Sequence, residues 1–177
     1  MGINQLWVSD ITYWKITTGY LYISFITDVF SHKIVGYQVA RTLEAIESVK
    51  ALRMALNQLK DGSHLIHHSD RGCQYCSKIY VKLLHNKGIK ISMTESGDPL
   101  ENAVAERVNG IIKEEYLTNY EVKNYQEAKF LLSSVVALYN SERPHMSIGN
   151  LTPSEVHKNN INSKRLWKNY YQRKTEA

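Results

Sequence analysis

Three carboxylate residues, each in a distinctive stretch of sequence, could together hold divalent cations. Asp10 lies in VSDIT, Asp70 in HHSDRGCQY and Glu106 in ENAVAERVNGIIKEE, and 35 residues separate the last two (106 − 70 − 1). Mg²⁺ and Mn²⁺ prefer carboxylate oxygens, and two such ions about 3.5–4 Å apart can activate a nucleophile and stabilise a leaving oxygen at phosphorus. The three residues therefore predict metal-dependent phosphodiester chemistry, provided that the fold brings them together.

Alternating apolar and polar residues predict the strands that would carry the two aspartates. The segments predicted to be strands are Leu6–Tyr13, Gly19–Thr27, 34–40, His64–His68 and Ile89–Met93. Asp10 falls in the first of them, and Asp70 falls at the carboxyl end of the fourth. If the first and fourth strands are neighbours in a mixed sheet, the two aspartates lie close together.

Apolar residues that recur every three or four positions predict four helices. These helices are predicted over 43–59, Ser77–Lys87, Glu101–Tyr116 and Glu127–Asn140. The order of elements, βββαβαβαα, predicts an α/β fold with a mixed sheet and helices against its faces. Thr94–Pro99 contains glycine and proline and is predicted to be a mobile loop, so we expect Glu106 to be the most displaced acid without metal or DNA.

The helix predicted to carry Glu106 would present a polar stripe. Asn102, Glu106, Asn109 and Lys113 fall on one face, and Ala103, Val104, Val108, Ile111 and Ile112 fall on the opposite one. Such a stripe suits contact with phosphate and sugar, although a solvated polar face would look the same in sequence. If the three acids converge without a cation, their repulsion should raise one or more pKa values.

The charge balance of the chain is compatible with a polyanionic partner. The 177 residues carry 22 Lys and Arg against 17 Asp and Glu, a formal net charge of +5. Because an acidic cluster lies within that total, the remaining surface is more positive than the total suggests. An excess of this size also occurs in ordinary enzymes, so charge alone does not decide the partner.

Length and hydropathy predict one domain with a short appendage. We expect a core over residues 1–145, followed by a basic C-terminal tail over 146–177 that is either solvated or DNA-facing. No stretch approaches the roughly 18 uninterrupted apolar residues of a membrane span. The first residues lack the basic start and apolar stretch of a signal peptide, so we expect a cytoplasmic protein without membrane association.

A second group of potential ligands surrounds the only two cysteines. Cys73 and Cys76 form a CxxC pair after His64, His67 and His68. A zinc site would need four ligands at suitable spacing, and a redox pair would need a thiol of low pKa in a thioredoxin-like context. Since no second CxxC follows, we interpret the cysteines as reduced residues on the first turn of a helix.

With these residues identified, the chain resembles the catalytic core of DDE transposases and retroviral-type integrases, most closely the IS3 insertion-sequence family. The resemblance is carried by WVSDIT, YLYISFITDVFSHKIVGY, HSDRGCQYCS, SMTESGDPLENAVAERVNGIIKEEY and YNSERPHMSIGNLTPSE. It extends from Trp7 to Glu155. The ordered set of motifs, with its 35-residue spacing, is far more specific than any single acid.

The resemblance implies an RNase H-like fold, with a mixed five-stranded sheet flanked by helices. It also implies that Asp10, Asp70 and Glu106 are the DDE triad and bind two Mg²⁺ or Mn²⁺ ions. The predicted DNA-binding residues are Asn102, Arg107, Asn109 and Lys113. The implied reactions are strand cleavage and strand transfer between transposon ends and a target, by a homo-oligomer on paired ends in the bacterial nucleoid.

The sequence differs from the family pattern at two places, and it is compatible with two other functions. The family often has Asp-Asn-Ala where this chain has Glu101-Asn102-Ala103, and Ser or Thr where Cys73 and Cys76 stand. Family members carry helix-turn-helix segments upstream, and we expect that region to be absent here. An inactive, domesticated DNA-binding remnant and an RNase H-type nuclease are the alternatives to a transposase.

Overall fold

Five strands form a single mixed sheet. A computed structural model describes residues 2–59, 64–94, 103–162 and 166 of the chain. The strands are β1 (Leu6–Ile16), β2 (Gly19–Asp28), β3 (Ile34–Ala40), β4 (Ile66–Ser69) and β5 (Lys90–Met93). All five were predicted, and the main difference is that β1 runs three residues further than expected.

The strand order is β3-β2-β1-β4-β5. β1 pairs antiparallel with β2, and β2 pairs antiparallel with β3, so the first three strands form a meander. β4 is parallel to both β1 and β5. Parallel neighbours need crossover connections, which helices supply here. The prediction that the first and fourth strands are neighbours is confirmed.

The described residues form five α-helices beside the sheet. They are α1 (Ala45–Leu56), α2 (Lys78–Asn86), α3 (Ala103–Ile111), α4 (Tyr125–Glu142) and α5 (Pro153–Asn159). A π-helical turn, Ile112–Tyr116, continues α3, and short 3₁₀ turns follow at Leu117–Asn119 and Met146–Ile148. The predicted helix that ends at Tyr116 is therefore α-helical only as far as Ile111. No described helix is both long and apolar enough to cross a membrane.

Apolar side chains on the two faces of the sheet form two separate cores. On one face α3 and α4 pack on the meander, with Phe25, Val108, Leu132 and Tyr139 almost completely buried. On the other face α1 and α2 cover the sheet, with Trp7, Leu52, Leu65 and Leu84 in the interior. Burial of each such side chain contributes about 1.5–3 kcal/mol. β1, which carries Asp10, lies between these two layers.

Close backbone packing fixes α1 against β3. A Cβ atom at Gly36 would clash with the carbonyl oxygen of Ala51, so only glycine allows this approach. At the next crossover, Ser77 caps α2 by accepting a hydrogen bond from the N–H of Tyr80. Cys73 and Cys76 therefore lie in the turn before α2, and their predicted position on its first turn is wrong.

Ordered structure continues beyond the predicted core boundary at residue 145. α5 begins with a capping box between Thr152 and Glu155, and it packs against α4. Nδ1 of His157 lies 3.0 Å from Oγ of Ser31, which in turn donates to the buried carboxylate of Asp28. The division into core and tail at this residue stays a prediction. The rest of the predicted basic tail, and the predicted loop after Thr94, lie outside the described residues.

Candidate active site

The parallel pairing of β1 with β4 brings two predicted site residues to neighbouring positions. Ser9 pairs with Ser69 in the register of the two strands, and Asp10 and Asp70 are the residues that directly follow. Because adjacent strands lie about 4.8 Å apart, the backbones of the two aspartates are close to each other. Both side chains line a cavity of about 170 Å³, where Asp70 is exposed and Asp10 is half-buried.

Helix α3 approaches the same place from one face of the sheet. Nδ2 of Asn109 donates a hydrogen bond of 2.6 Å to Oδ2 of Asp10. Asn109 is only 5% exposed, so its amide belongs to the interior. Glu106 lies three residues earlier, and residues three apart share a face of a helix. The exposed Glu106 therefore lies on the same side of α3 as Asn109, which contacts Asp10.

The electrostatics of Asp10 link the three predicted acids. The pKa of its carboxyl is raised from 3.8 to about 6, mainly because burial removes hydration from the charged form. The negative charges of Asp70 and Glu106 raise the pKa further. Hydrogen bonds from the backbone of Ile11 and from Asn109 lower it. The three carboxylates are therefore close enough to repel one another, as expected of an acidic cluster.

Several polar groups surround these acids. Oδ1 of Asp70 accepts a hydrogen bond of 2.9 Å from the N–H of Gly72, which holds this carboxylate in the turn after β4. The hydroxyl of Tyr75 is buried beside the same cavity, and Oδ1 of Asn109 is also buried. Neither oxygen has a hydrogen-bond partner among the described residues. Buried polar atoms are almost always paired, so these two oxygens are exceptions next to the acids.

The donor set suits a hard divalent cation. Carboxylate and amide oxygens are the ligands of Mg²⁺ and Mn²⁺, and a cation would relieve the repulsion that raises the pKa of Asp10. Within the described ranges, however, no three His, Cys, Asp or Glu side chains gather closely enough to hold one ion. Shared ligation would therefore require the carboxylates to move toward one another.

The three predicted DNA-binding residues that the structure describes lie in different surroundings. Asn102 lies outside the described residues, and Asn109 is buried. Arg107 is exposed and lines a cavity of about 550 Å³, whereas the half-buried Lys113 lines a different groove of about 380 Å³. The predicted stripe is interrupted because the π-helical turn begins at Ile112 and changes the angular position of the next residues. Contact of each residue with DNA stays a prediction.

The alternative ligands around the cysteines lie in different environments. Cys73 and Cys76 are exposed free thiols. His67 is buried, and its Nε2 is hydrogen-bonded to the hydroxyls of Ser9 and Tyr80 at 2.7 and 2.9 Å. Burial is the main reason why its pKa falls to about 3. In this structure His67 is therefore a neutral polar residue of the core.

Sequence reasoning missed two features of the site. Asn109 was predicted from its position on a stripe, but only the packing of α3 on β1 shows that it donates to Asp10. Tyr75 gave no signal beyond its place five residues after Asp70. Its burial beside the acids follows from the fold of the turn before α2.

Family comparison agrees with this arrangement over most of the chain. Residues 2–99 match the model of the integrase core domain, and residues 87–153 match a second model with the same description. The chain belongs to the integrase core domain family. The resemblance to transposases and integrases that the sequence motifs indicated is thereby confirmed.

Two similar proteins come from Shigella sonnei. The insertion element IS600 uncharacterized 31 kDa protein is 38% identical over 85% of this chain and 56% of its own length. The transposase for insertion sequence element IS629 is 36% identical over 88% of this chain and 52% of its own length. The chain therefore spans about half the length of these relatives.

A solved structure supports the fold assignment. The HTLV-2 integrase catalytic core domain, solved in complex with magnesium, superposes with a TM-score of 0.68 at 19% identity. The match covers 87% of this chain and 96% of the HTLV-2 domain. The predicted RNase H-like fold, with a mixed five-stranded sheet flanked by helices, is confirmed.

Proposed function

We propose that this chain is the catalytic core of a DDE polynucleotidyl transferase that cleaves and transfers DNA strands during transposition. The observation that carries the proposal is the register of β1 and β4, which places Asp10 beside Asp70, together with the hydrogen bond from Asn109 of α3 to Asp10, inside an integrase core fold. The names of both Shigella sonnei relatives refer to insertion elements, which favours transposition over other uses of this fold.

The proposed ligands of two Mg²⁺ or Mn²⁺ ions are Asp10, Asp70 and Glu106. When bound, these ions would lower the pKa of a water or a 3′-hydroxyl nucleophile and stabilise the leaving 3′ oxygen. The donor chemistry supports this assignment, because three carboxylates that repel one another are most stable with positive charge between them. The HTLV-2 domain that shares the fold was solved with magnesium.

Neighbouring groups in the chain would orient the carboxylates for this role. The amide of Asn109 fixes one oxygen of Asp10, and the N–H of Gly72 fixes one oxygen of Asp70. Asp10 must lose its proton before it can bind a cation, and its pKa of about 6 places that step just below neutral pH. At subsaturating Mg²⁺, activity should therefore fall as the pH decreases through about 6.

The proposed substrate is double-stranded DNA at the transposon ends and at the target. The net charge of +5 supports a polyanionic partner, and the exposed Arg107 provides a cation one residue from Glu106. Asn102, Asn109 and Lys113 complete the proposed set of DNA-binding residues. We further propose that the protein acts in the nucleoid as a homo-oligomer on paired ends.

Replacement of one predicted ligand tests the proposal. Asp70→Asn keeps an oxygen that can accept from Gly72 but removes the charge, so we expect a folded protein without Mg²⁺-dependent nicking of labelled element ends. Glu121→Gln, an exposed carboxylate outside the proposed triad, is the matched control and should nick normally. Retention of nicking by Asp70→Asn would refute the assignment of the triad.

The same assay separates the two alternative functions. A transposase core nicks the element end and joins it to target DNA, whereas an inactive remnant binds the end without cleavage. An RNase H-type nuclease would cut the RNA strand of a hybrid without strand transfer. Metal-dependent joining of a labelled end to a second DNA molecule therefore supports only the first function.

A further inference from the structure

A groove beside the β1–β2 hairpin combines exposed aromatic rings with cations. Tyr13, Tyr20 and Tyr120 line it and are 58%, 61% and 57% exposed, and Lys15 and Lys113 lie between them. Buried Trp14 and Leu117 contribute to its floor, and its volume is about 380 Å³. None of the described residues that line the groove is acidic. Single exposed tyrosines are common on protein surfaces, but a cluster of three around one groove indicates a binding surface.

The register of the hairpin explains how rings and cations come to alternate. Tyr13 lies opposite Tyr22, and Lys15 lies opposite Tyr20. Residues two apart on a strand share a face, so all four side chains are on the same face of the hairpin. The rings of Tyr13 and Tyr22 meet edge to face at 5.6 Å, which restrains the orientation of Tyr13. The hairpin thus offers aromatic faces with cations at their sides.

The groove lies next to the candidate active site. Tyr13 lines both this groove and the small cavity that contains Asp10 and Asp70. β4 pairs with β1 only from Leu6 to Ser9, so the second half of β1 is not covered by β4. A strand held by the two aspartates could therefore continue along β1 into the groove.

We propose that this groove binds a short unpaired segment of the DNA strand next to the scissile phosphate. The inference rests on the proposed function in taking DNA as the substrate. Unpaired bases can stack on tyrosine rings while their phosphates meet the two lysines, a combination typical of single-strand binding surfaces. Duplex DNA does not offer these faces, because its bases already stack on one another.

Charge argues against a second copy of the chain as the occupant. The chain carries a formal net charge of +5, so a second copy brings excess positive charge to a groove whose only charged lining residues are lysines. Tyrosine-rich surfaces also occur in protein interfaces, so self-association must be measured as a separate outcome. A single-stranded nucleic acid can stack its bases on the rings and place its phosphates next to the lysines.

The test measures binding of a labelled short thymidine oligonucleotide by fluorescence anisotropy in EDTA, which makes it independent of the metal site. We expect tighter binding of this oligonucleotide than of a hairpin duplex of matched charge. Tyr20→Ala and Tyr120→Ala should each weaken it by about 5- to 150-fold, the effect of losing one stacked base. Tyr20→Phe and Tyr120→Phe should keep the affinity, because phenylalanine also stacks.

Two controls separate stacking from charge and from general effects. Phe130→Ala removes a ring that is more accessible than the tyrosines, 78% exposed on α4 and outside the groove lining, and should leave binding unchanged. Lys15→Gln should reduce the slope of log affinity against log salt by about 0.7, the contribution of one phosphate contact in single-stranded DNA. Circular dichroism would verify that each variant is folded.

The outcomes distinguish failure of this inference from failure of the proposed function. Unchanged oligonucleotide binding by both alanine variants, or a preference for duplex, would overturn the groove assignment even if the wild type nicks element ends. A change of oligomeric state in the alanine variants, without weaker binding, would also overturn it and assign the groove to self-association. Binding that depends on the tyrosines would support the groove even if nicking were absent.

Discussion

Asp10→Asn should make the metal-free protein more stable at alkaline pH. The pKa of Asp10 is about 6 in the folded chain and 3.8 as the ordinary value, a difference of about 2.2 units. At about 1.36 kcal/mol per unit this corresponds to at most about 3 kcal/mol. Because the side chain is only half-buried, solvent screening reduces the expected gain to roughly 1–2 kcal/mol.

The sign of the effect follows from the raised pKa. The folded protein holds the proton of Asp10 more tightly than the unfolded chain, so the wild type carries no penalty below about pH 3.8. The penalty grows as the pH rises through about 6 and is complete above it. Asparagine cannot ionise and can still accept the hydrogen bond from Asn109, so the variant avoids this loss.

Urea unfolding with EDTA at pH 4 and pH 8 measures the difference. We expect the free energy of unfolding of Asp10→Asn to exceed that of the wild type at pH 8 and to equal it near pH 4. Glu121→Gln, which neutralises an exposed carboxylate, should show no such dependence. Equal stability of Asp10→Asn and wild type at pH 8, or the same gain at both pH values, would refute this account of the pKa.

Four further substitutions test the packing of the fold and of the site. Asn140→Ala removes the buried amide that bonds both backbone groups of the first residue of β3 at 3.0 Å, and should lower the free energy of unfolding by about 2–4 kcal/mol in urea titrations. Asn109→Ala should raise the pKa of Asp10 above about 6, as measured by NMR titration of the carboxyl carbon. Gly36→Ala should lower the free energy of unfolding by about 1–3 kcal/mol, because the added methyl group would overpack against α1. Gly110→Ala has open space around it and should stabilise α3 by up to about 1 kcal/mol. The opposite order of their unfolding midpoints would contradict the packing at both glycines.

The regular part of the fold could be predicted because its causes are local. The alternation over GYLYISFIT predicts β2 within one residue of its observed end, and the segment from Ile34 to Ala40 matches β3. Helix α1 is shorter than its apolar repeat, which extends to Leu59, because the last residues form single turns instead of continuing the helix. Helical periodicity alone does not reveal where such fraying begins.

The arrangement of the site could be predicted only in part, because it depends on packing between distant segments. The pairing of Ser9 with Ser69 requires two strands separated by α1, and sequence indicated only that they could be neighbours. The π-helical turn after Ile111 has no signature in the apolar pattern, yet it interrupts the predicted stripe before Lys113. The burial of Asn109 follows from the same packing of α3 on β1.

The raised pKa of Asp10 connects the stability of the fold with its proposed chemistry. A proton on Asp10 neutralises one of three mutually repelling carboxylates, as a divalent cation would do more completely. The apolar core beneath α1 and α2 includes Trp7 of β1 and Leu65 just before β4, so it helps to keep the two strands paired despite this repulsion. Cation binding would displace the proton, so affinity for Mg²⁺ should depend on pH near 6 in the wild type. The negative charge of Asp10 that destabilises the metal-free fold is therefore the charge that a ligand for Mg²⁺ requires.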